Sequence, residues 1–266
     1  MSEGSVQTKH LRAGLLKVEV HPSRAAAGLA AARAAATSLV GLAAAHDSIG
    51  VIFATGASQF ETLAALTSIE NLPWTQVRGF HMDEYVGIAA DHPASFRHYM
   101  RERLVSKVKM REFFEIDANA LDPENTARDY ATRLRAADPQ LCLLGIGENG
   151  HLAFNDPDAA DFTDPVDAKI VCLDDLCRQQ QVAEGWFAGI NEVSESAITL
   201  TIPTLMRVPK LIASVPGIRK AAIVRRTLYE PISTACPATI LRKHPDATVY
   251  LDPESASTLD ELSDFR

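Results

Sequence analysis

Leu143-Leu144-Gly145-Ile146-Gly147-Glu148-Asn149-Gly150-His151-Leu152-Ala153-Phe154-Asn155-Asp156-Pro157 joins an apolar, strand-like run to glycines, with a histidine and a carboxylate directly behind them. Glycine lets a backbone approach a ligand closely, so the stretch reads as an active-site loop at the end of a strand. Gly145, Gly147 and Gly150 also satisfy G-x-G-x-x-G, the spacing of a dinucleotide-binding turn. Such a turn needs a helix opening at the third glycine to face the pyrophosphate. Asn155, Asp156 and Pro157 interrupt any helix at once, so no dinucleotide cofactor is expected.

The strand, loop and helix pattern repeats outward from this stretch. Residues 49–54 form a short apolar run that ends in Thr55-Gly56-Ala57-Ser58 and passes into helical spacing through Phe60, Leu63, Ala64 and Leu66. Residues 77–82 lead to Asp83 and a helix opening near Pro93, and residues 210–215 lead to Pro216-Gly217 and a helix through Ala221, Ile223 and Val224. Residues 23–46 are alanine-rich with leucines at helical spacing, which predicts a long, closely packed helix. Further strands are expected at 169–173, 197–202 and 247–251. Alternation of this kind predicts a mostly parallel sheet covered by helices, in one α/β/α domain over residues 1–266. Ligands of such sheets collect at the carboxyl ends of the strands, where every loop named above falls.

Bulk properties narrow the function. The chain has 266 residues, 47% hydrophobic and 23% charged, with a net charge of -8. Acidity argues against a nucleic-acid partner, so an anionic ligand must be held by a few local groups. Cys142, Cys172, Cys177 and Cys236 show no C-x-x-C pairing and read as reduced core residues. The start of the chain lacks a basic segment followed by an apolar one, and no uninterrupted apolar stretch approaches bilayer length. A cytoplasmic protein without a membrane partner is expected.

Several residues can do chemistry. In Phe80-His81-Met82-Asp83-Glu84-Tyr85-Val86-Gly87, a strand delivers adjacent carboxylates. Either one can cap a turn, and Asp83 can instead act as a general base toward a carbon acidified by a carbonyl or imine. His151 is a structural hydrogen-bonder or a proton shuttle whose ring Asp156 orients, an arrangement suited to opening a sugar ring. Thr55, Gly56, Ala57 and Ser58 lead into a helix and can receive a phosphate at its positive end. Lys220, after Pro216-Gly217-Ile218-Arg219, can reach the same phosphate. Neither turn carries the G-K-[ST] of a nucleotide loop. Arg178 is a further cation, poised between a phosphate contact and a surface ion pair. His10, His46, His98 and His244 show no ligand spacing, and no metal is assigned.

Met82-Asp83-Glu84-Tyr85-Val86-Gly87, His92-Pro93-Ala94-Ser95-Phe96 and Gly150-His151-Leu152-Ala153-Phe154-Asn155-Asp156-Pro157 together resemble the signature blocks of the glucosamine-6-phosphate deaminase (isomerase) family. The resemblance extends to Thr55-Gly56-Ala57-Ser58 and Gly217-Ile218-Arg219-Lys220, and so covers most of residues 50–250. The related 6-phosphogluconolactonases typically carry G-H-T-A-S-L-F at the histidine loop, and this chain follows the deaminase pattern instead. The resemblance implies a Rossmann-like α/β/α fold and a metal-free conversion of an amino-sugar phosphate to a ketose phosphate and ammonia. Asp83 falls on the aspartate that moves a proton from C2 to C1, and His151 on the ring-opening histidine. Asp156 stands where the family has a glutamate. Lys220 and residues 55–58 match phosphate contacts, and Arg178 lies near a phosphate-binding arginine.

One departure bears on activity. The family usually has aspartate immediately before Gly-His, where this chain has Asn149. An amide keeps a hydrogen bond but carries no charge to stabilise an imidazolium. The change is expected to slow ring opening by about one to two orders of magnitude. The neighbouring Glu148 is expected to point elsewhere. The alternatives are lactone hydrolysis, which needs His151 but has no evident need of Asp83 as a carbon base, and a sugar-phosphate sensor without chemistry. Against a DNA-binding sensor, residues 1–22 are too short for a helix-turn-helix and residues 252–264 are acidic. The expected partner is a phosphorylated amino sugar, and a homo-oligomer is compatible with the resemblance.

Overall fold

A computed structural model describes residues 8–183 and 185–259. The N-terminal residues 1–7 and the end of the acidic tail, residues 260–266, lie outside the described residues. In chain order the first half contains β1 (Lys9–Ala13), β2 (Leu16–Val20), α1 (Arg24–Ala43), β3 (Ile49–Phe53), α2 (Phe60–Ser68), β4 (Val77–His81), β5 (Asp83–Tyr85), α3 (Phe96–Met100), β6 (Glu112–Phe114) and α4 (Pro123–Ala137). The second half contains β7 (Pro139–Leu144), β8 (Ala168–Cys172), α5 (Asp175–Ala183), β9 (Ser196–Leu200), α6 (Ile202–Met206), β10 (Lys210–Ser214), α7 (Ala221–Tyr229) and β11 (Ala247–Leu251).

The main sheet has eight strands in the order β1-β2-β11-β10-β7-β3-β4-β6, parallel except for the β1–β2 hairpin at its edge. Its central strands are apolar on both faces. Ile52, Cys142, Leu144 and Leu211 pack into one cluster with Tyr130 and Leu134 of α4. Their neighbours Val51, Phe53, Leu143 and Ile212 pack into another with Ala31, Ala35 and Leu39 of α1. Strand side chains alternate between faces, so continuous apolar runs are what a sheet covered on both sides requires. The expected mixed α/β architecture is the observed one.

The strand order reverses beside β3. From there the chain steps outward through β4 to β6, then returns to β7 on the other flank and steps outward again to β10 and β11. A crevice opens where two such progressions diverge. The four strands around it, β10, β7, β3 and β4, lead into the four loops singled out from sequence.

One expectation needs correction. The strands at 169–173 and 197–202 exist as β8 and β9, but they do not join the parallel sheet. They form an antiparallel sheet of order β5-β9-β8, in which Asp83 pairs with Thr199. Helix α1 has 20 residues and the length and composition to cross a membrane, although Arg33 interrupts its apolar run. Ala27, Ala31, Ala35 and Leu39 of α1 are instead buried in the protein, and Ser23 caps the helix by accepting the Ala26 N–H at 3.1 Å.

Candidate active site

Matching turns form one rim of the crevice. Gly56 (φ 92, ψ 171) follows β3 and Gly217 (φ 94, ψ 154) follows β10, both in a region of backbone space that is essentially glycine's alone. Each glycine opens a single 3₁₀ turn, Ala57–Gln59 or Ile218–Lys220, that runs on into α2 or α7. The first N–H groups of a helix have no partner within it and sit at its positive end, which suits them to a phosphate. The turns are braced from behind. Gln59 is fully buried and its Nε2 donates to the Leu144 carbonyl at 3.1 Å, while Arg24 Nη2 donates to the Ala57 carbonyl at 2.7 Å. The Asp252 carboxylate accepts the Gly217 N–H at 3.0 Å. Lys220 lines the cavity between these turns and is 8% exposed.

The adjacent carboxylates part at the start of β5, because successive strand residues face opposite sides. Glu84 is wholly buried and caps α3, accepting from Ser95 Oγ at 2.8 Å, Phe96 N–H at 3.0 Å and Arg97 N–H at 2.9 Å. The Arg97 guanidinium pairs with it at 3.3 Å. Asp83 lines the cavity, and its Oδ1 has no hydrogen-bond partner among the described residues. Burial, reinforced by the charge of Glu84, pushes the Asp83 carboxyl well above the ordinary carboxylate range.

His151 enters from the loop after β7. Its ring lies over Gly147, where a Cβ would come within 2.2 Å of the imidazole, so the middle glycine of the G-x-G-x-x-G spacing makes room for the histidine. No helix forms in residues 145–167, as the rejection of a dinucleotide turn requires. His151 Nδ1 and Asp156 Oδ1 lie 2.9 Å apart, which leaves Nε2 for the cavity that the residue lines. Burial works to raise the Asp156 carboxyl. The bonds and charge of His151, with the Asn149 amide and the Asp174 N–H, outweigh it and leave Asp156 below its ordinary value.

Asn149 stands behind this pair rather than in the cavity. Its Nδ2 donates to Asp156 Oδ1 at 2.8 Å and to Asp174 Oδ2 at 3.0 Å, and its Oδ1 accepts the His151 N–H at 3.0 Å. Glu148 does face the cavity, where it meets Arg219 Nη2 at 2.7 Å, so the expectation that it points elsewhere is corrected. Arg178 is corrected too. Its guanidinium donates to the carbonyls of Ile190 at 2.9 Å and Val193 at 3.2 Å, outside the cavity lining, and it ties α5 to the following loop.

The cavity holds about 340 Å³ and joins Thr55, Gly56, Ala57, Ser58 and Lys220 to Asp83 and His151. It also takes in Phe96, from the block His92-Pro93-Ala94-Ser95-Phe96, and residues that the sequence did not single out: Arg24, Gln180 and Gln181. Nothing local marks them, since α5 and the start of α1 reach the crevice only through tertiary packing. Among the described residues, one group brings metal-ligand atoms together: His151, Asp156 and Cys177, within 4.8 Å of one another. Burial and the surrounding carboxylates push the Cys177 thiol well up, the reverse of what a thiolate ligand needs, and His151 Nδ1 is engaged with Asp156. The group is better described as a hydrogen-bonded relay.

Residues 22–250 match the model of the family described as glucosamine-6-phosphate isomerases/6-phosphogluconolactonase. A glucosamine-6-phosphate deaminase of Exiguobacterium sibiricum is 36% identical over 181 residues, covering 68% of this chain and 70% of the relative. One from Listeria innocua is 34% identical over 206 residues, covering 77% of this chain and 86% of the relative. Among solved structures, a monomeric glucosamine-6-phosphate deaminase has a TM-score of 0.82 at 29% identity, covering 90% of this chain and 98% of that one. A 6-phosphogluconolactonase from Thermotoga maritima, at 19% identity, shares the fold with a TM-score of 0.72 over 88% of this chain and 98% of its own.

Proposed function

From the premise that the chain belongs to the glucosamine-6-phosphate isomerase/6-phosphogluconolactonase family, we propose that it converts glucosamine 6-phosphate to fructose 6-phosphate and ammonia. The observation that carries this reading is the shared cavity. Asp83, with an unpartnered oxygen, and His151, with Nε2 left over, line one space with the Gly56 and Gly217 turns and Lys220. A lactonase needs an activated water and has no evident use for Asp83 as a base toward carbon.

In this reading the phosphate sits on residues 55–58 and Lys220. His151, oriented by Asp156, moves the proton between oxygens as the pyranose opens. Asp83 then takes the C2 proton, the electrons left on C2 form a C1–C2 double bond, and the C1 oxygen is protonated. Return of a proton to C1 leaves an imine at C2, to which water adds before ammonia departs. Asn149 serves as a positioning residue that holds Asp156. The reading goes with a single domain working in the cytoplasm on a phosphorylated amino sugar.

The test is to incubate purified protein with glucosamine 6-phosphate and measure ammonia and fructose 6-phosphate together. Equimolar appearance of both is the expected result. Hydrolysis of 6-phosphogluconolactone with no ammonia release from the amino sugar, or binding of the amino sugar without turnover, overturns the proposal.

A further inference from the structure

Resting on that reading of the cavity, we propose that Gln181 is a specificity-determining residue whose amide recognises a neutral hydroxyl at C3 or C4 of the sugar. Gln181 lies on α5, is 7% exposed and lines the cavity. Its side-chain amide makes no hydrogen bond among the described residues. The adjacent Gln180 behaves differently, since its Oε1 accepts the Glu148 N–H at 3.1 Å and fastens α5 to the glycine loop. The Gln181 amide is not among the sealed, unpartnered polar atoms, so on the cavity wall it is open to a hydrogen-bonding ligand.

The position of α5 says which part of the ligand that is. Asp174, just before the helix, accepts from Asn149 Nδ2 at 3.0 Å and donates its N–H to Asp156 Oδ2 at 3.3 Å. Cys177, in the first turn, has its thiol against Asp156. Gln181 is four residues further on, so it occupies the same helix face one turn beyond the His151 relay. An amide carries both a donor and an acceptor and no charge, so it complements a hydroxyl, which likewise donates and accepts, while the charged phosphate and amino groups have charged partners in Lys220 and Asp83. With the phosphate at the glycine turns, ring opening at His151 and C2 at Asp83, the hydroxyls left without an assigned partner are those on C3 and C4.

The test compares glucosamine 6-phosphate with its 3- and 4-epimers on the wild type and on Gln181→Leu, which keeps similar bulk and removes both hydrogen-bonding atoms. The wild type should prefer one epimer in kcat/KM, and that preference should shrink roughly tenfold in the variant while inhibition by inorganic phosphate stays unchanged. Gln181→Met serves if the leucine variant does not fold. Equal preferences in wild type and variant, or no preference in the wild type, overturn the proposal. If the wild type releases no ammonia, the deaminase reading fails by itself. Calorimetric Kd ratios for the same three compounds then decide the Gln181 assignment, and absence of binding or unchanged ratios overturns it.

Discussion

Asn149 and Asp156 are joined by a hydrogen bond of 2.8 Å whose acceptor, Asp156 Oδ1, is the same oxygen that lies 2.9 Å from His151 Nδ1. The amide therefore acts on the histidine through the carboxylate, and it must be a donor to do so. This alters the meaning of the missing family aspartate. An aspartate at 149 would set a carboxylate against Asp156 and Asp174 with no proton to share.

Asn149→Asp is accordingly expected to destabilise the protein at neutral pH by about 1–3 kcal/mol. That corresponds to a Tm lower by about 2–10 °C at pH 7.5. The deficit should narrow near pH 5, as the introduced carboxyl, crowded by two others, takes up a proton and becomes a donor. Thermal melts at the two pH values check this, and an unchanged Tm at pH 7.5 would remove the donor role.

Gly147→Ala places a methyl group where the His151 ring now lies, at 2.2 Å. The ring must shift by a large fraction of an ångström or more, and misplacement on that scale costs about 100-fold in rate. Steady-state kinetics should show kcat falling by about that factor. The inhibition constant for inorganic phosphate should hold, because the glycine turns are untouched.

Burial and Glu84 raise the Asp83 carboxyl, so the base is ionised only at a pH above the usual carboxylate range of about 4. The profile of kcat/KM should therefore rise with pH along an acid limb displaced upward from that value. Asp83→Asn should cut turnover by about 1,000-fold and abolish this limb. An acid limb that persists in the variant would assign it to another group.

The same shift has a consequence for folding. A carboxyl whose folded pKa is raised contributes stability that is complete below the unfolded value and is lost as pH rises through the folded one. Asp83→Asn removes that loss. Urea unfolding should find the variant more stable than wild type by about 0.5–2 kcal/mol at pH 8, with the two converging toward pH 4. A less stable variant at pH 8 would mean that Asp83 has a partner in the folded protein.

Arg178→Ala should leave KM for the phosphorylated substrate within about twofold of wild type, and lower stability by about 1–2 kcal/mol through the loss of the bonds to Ile190 and Val193. A tenfold rise in KM would return this arginine to the phosphate.

The strands around the crevice were legible in the sequence because each is largely buried and reads as a short, mostly apolar run that ends in a turn or loop. β3, β4 and β10 lie within one residue of their expected bounds. The shorter or more polar elements escaped. β5 and β6 have three residues each, too few for a pattern, and the β1–β2 hairpin is a partly polar edge. α4 is mostly polar, although Asp122 as N-cap and Pro123 in the first turn were signals available to find it. β8 and β9 were recognisable as strands but not as members of a second sheet, since alternation along one strand does not name its partner.

Local chemistry by itself determined the glycine turns, the histidine loop and the separation of Asp83 from Glu84 onto opposite sides of a strand, because backbone sterics and the strand repeat act between neighbouring residues. Which side meets the cavity was decided by the pairing of β5 with β9, more than a hundred residues away in sequence. The departure of Arg178 from the site and the arrival of Arg24 and Gln181 were decided in the same way. A side chain's address in the cavity depends on how whole elements pack, and that is a property of contacts distant in the chain.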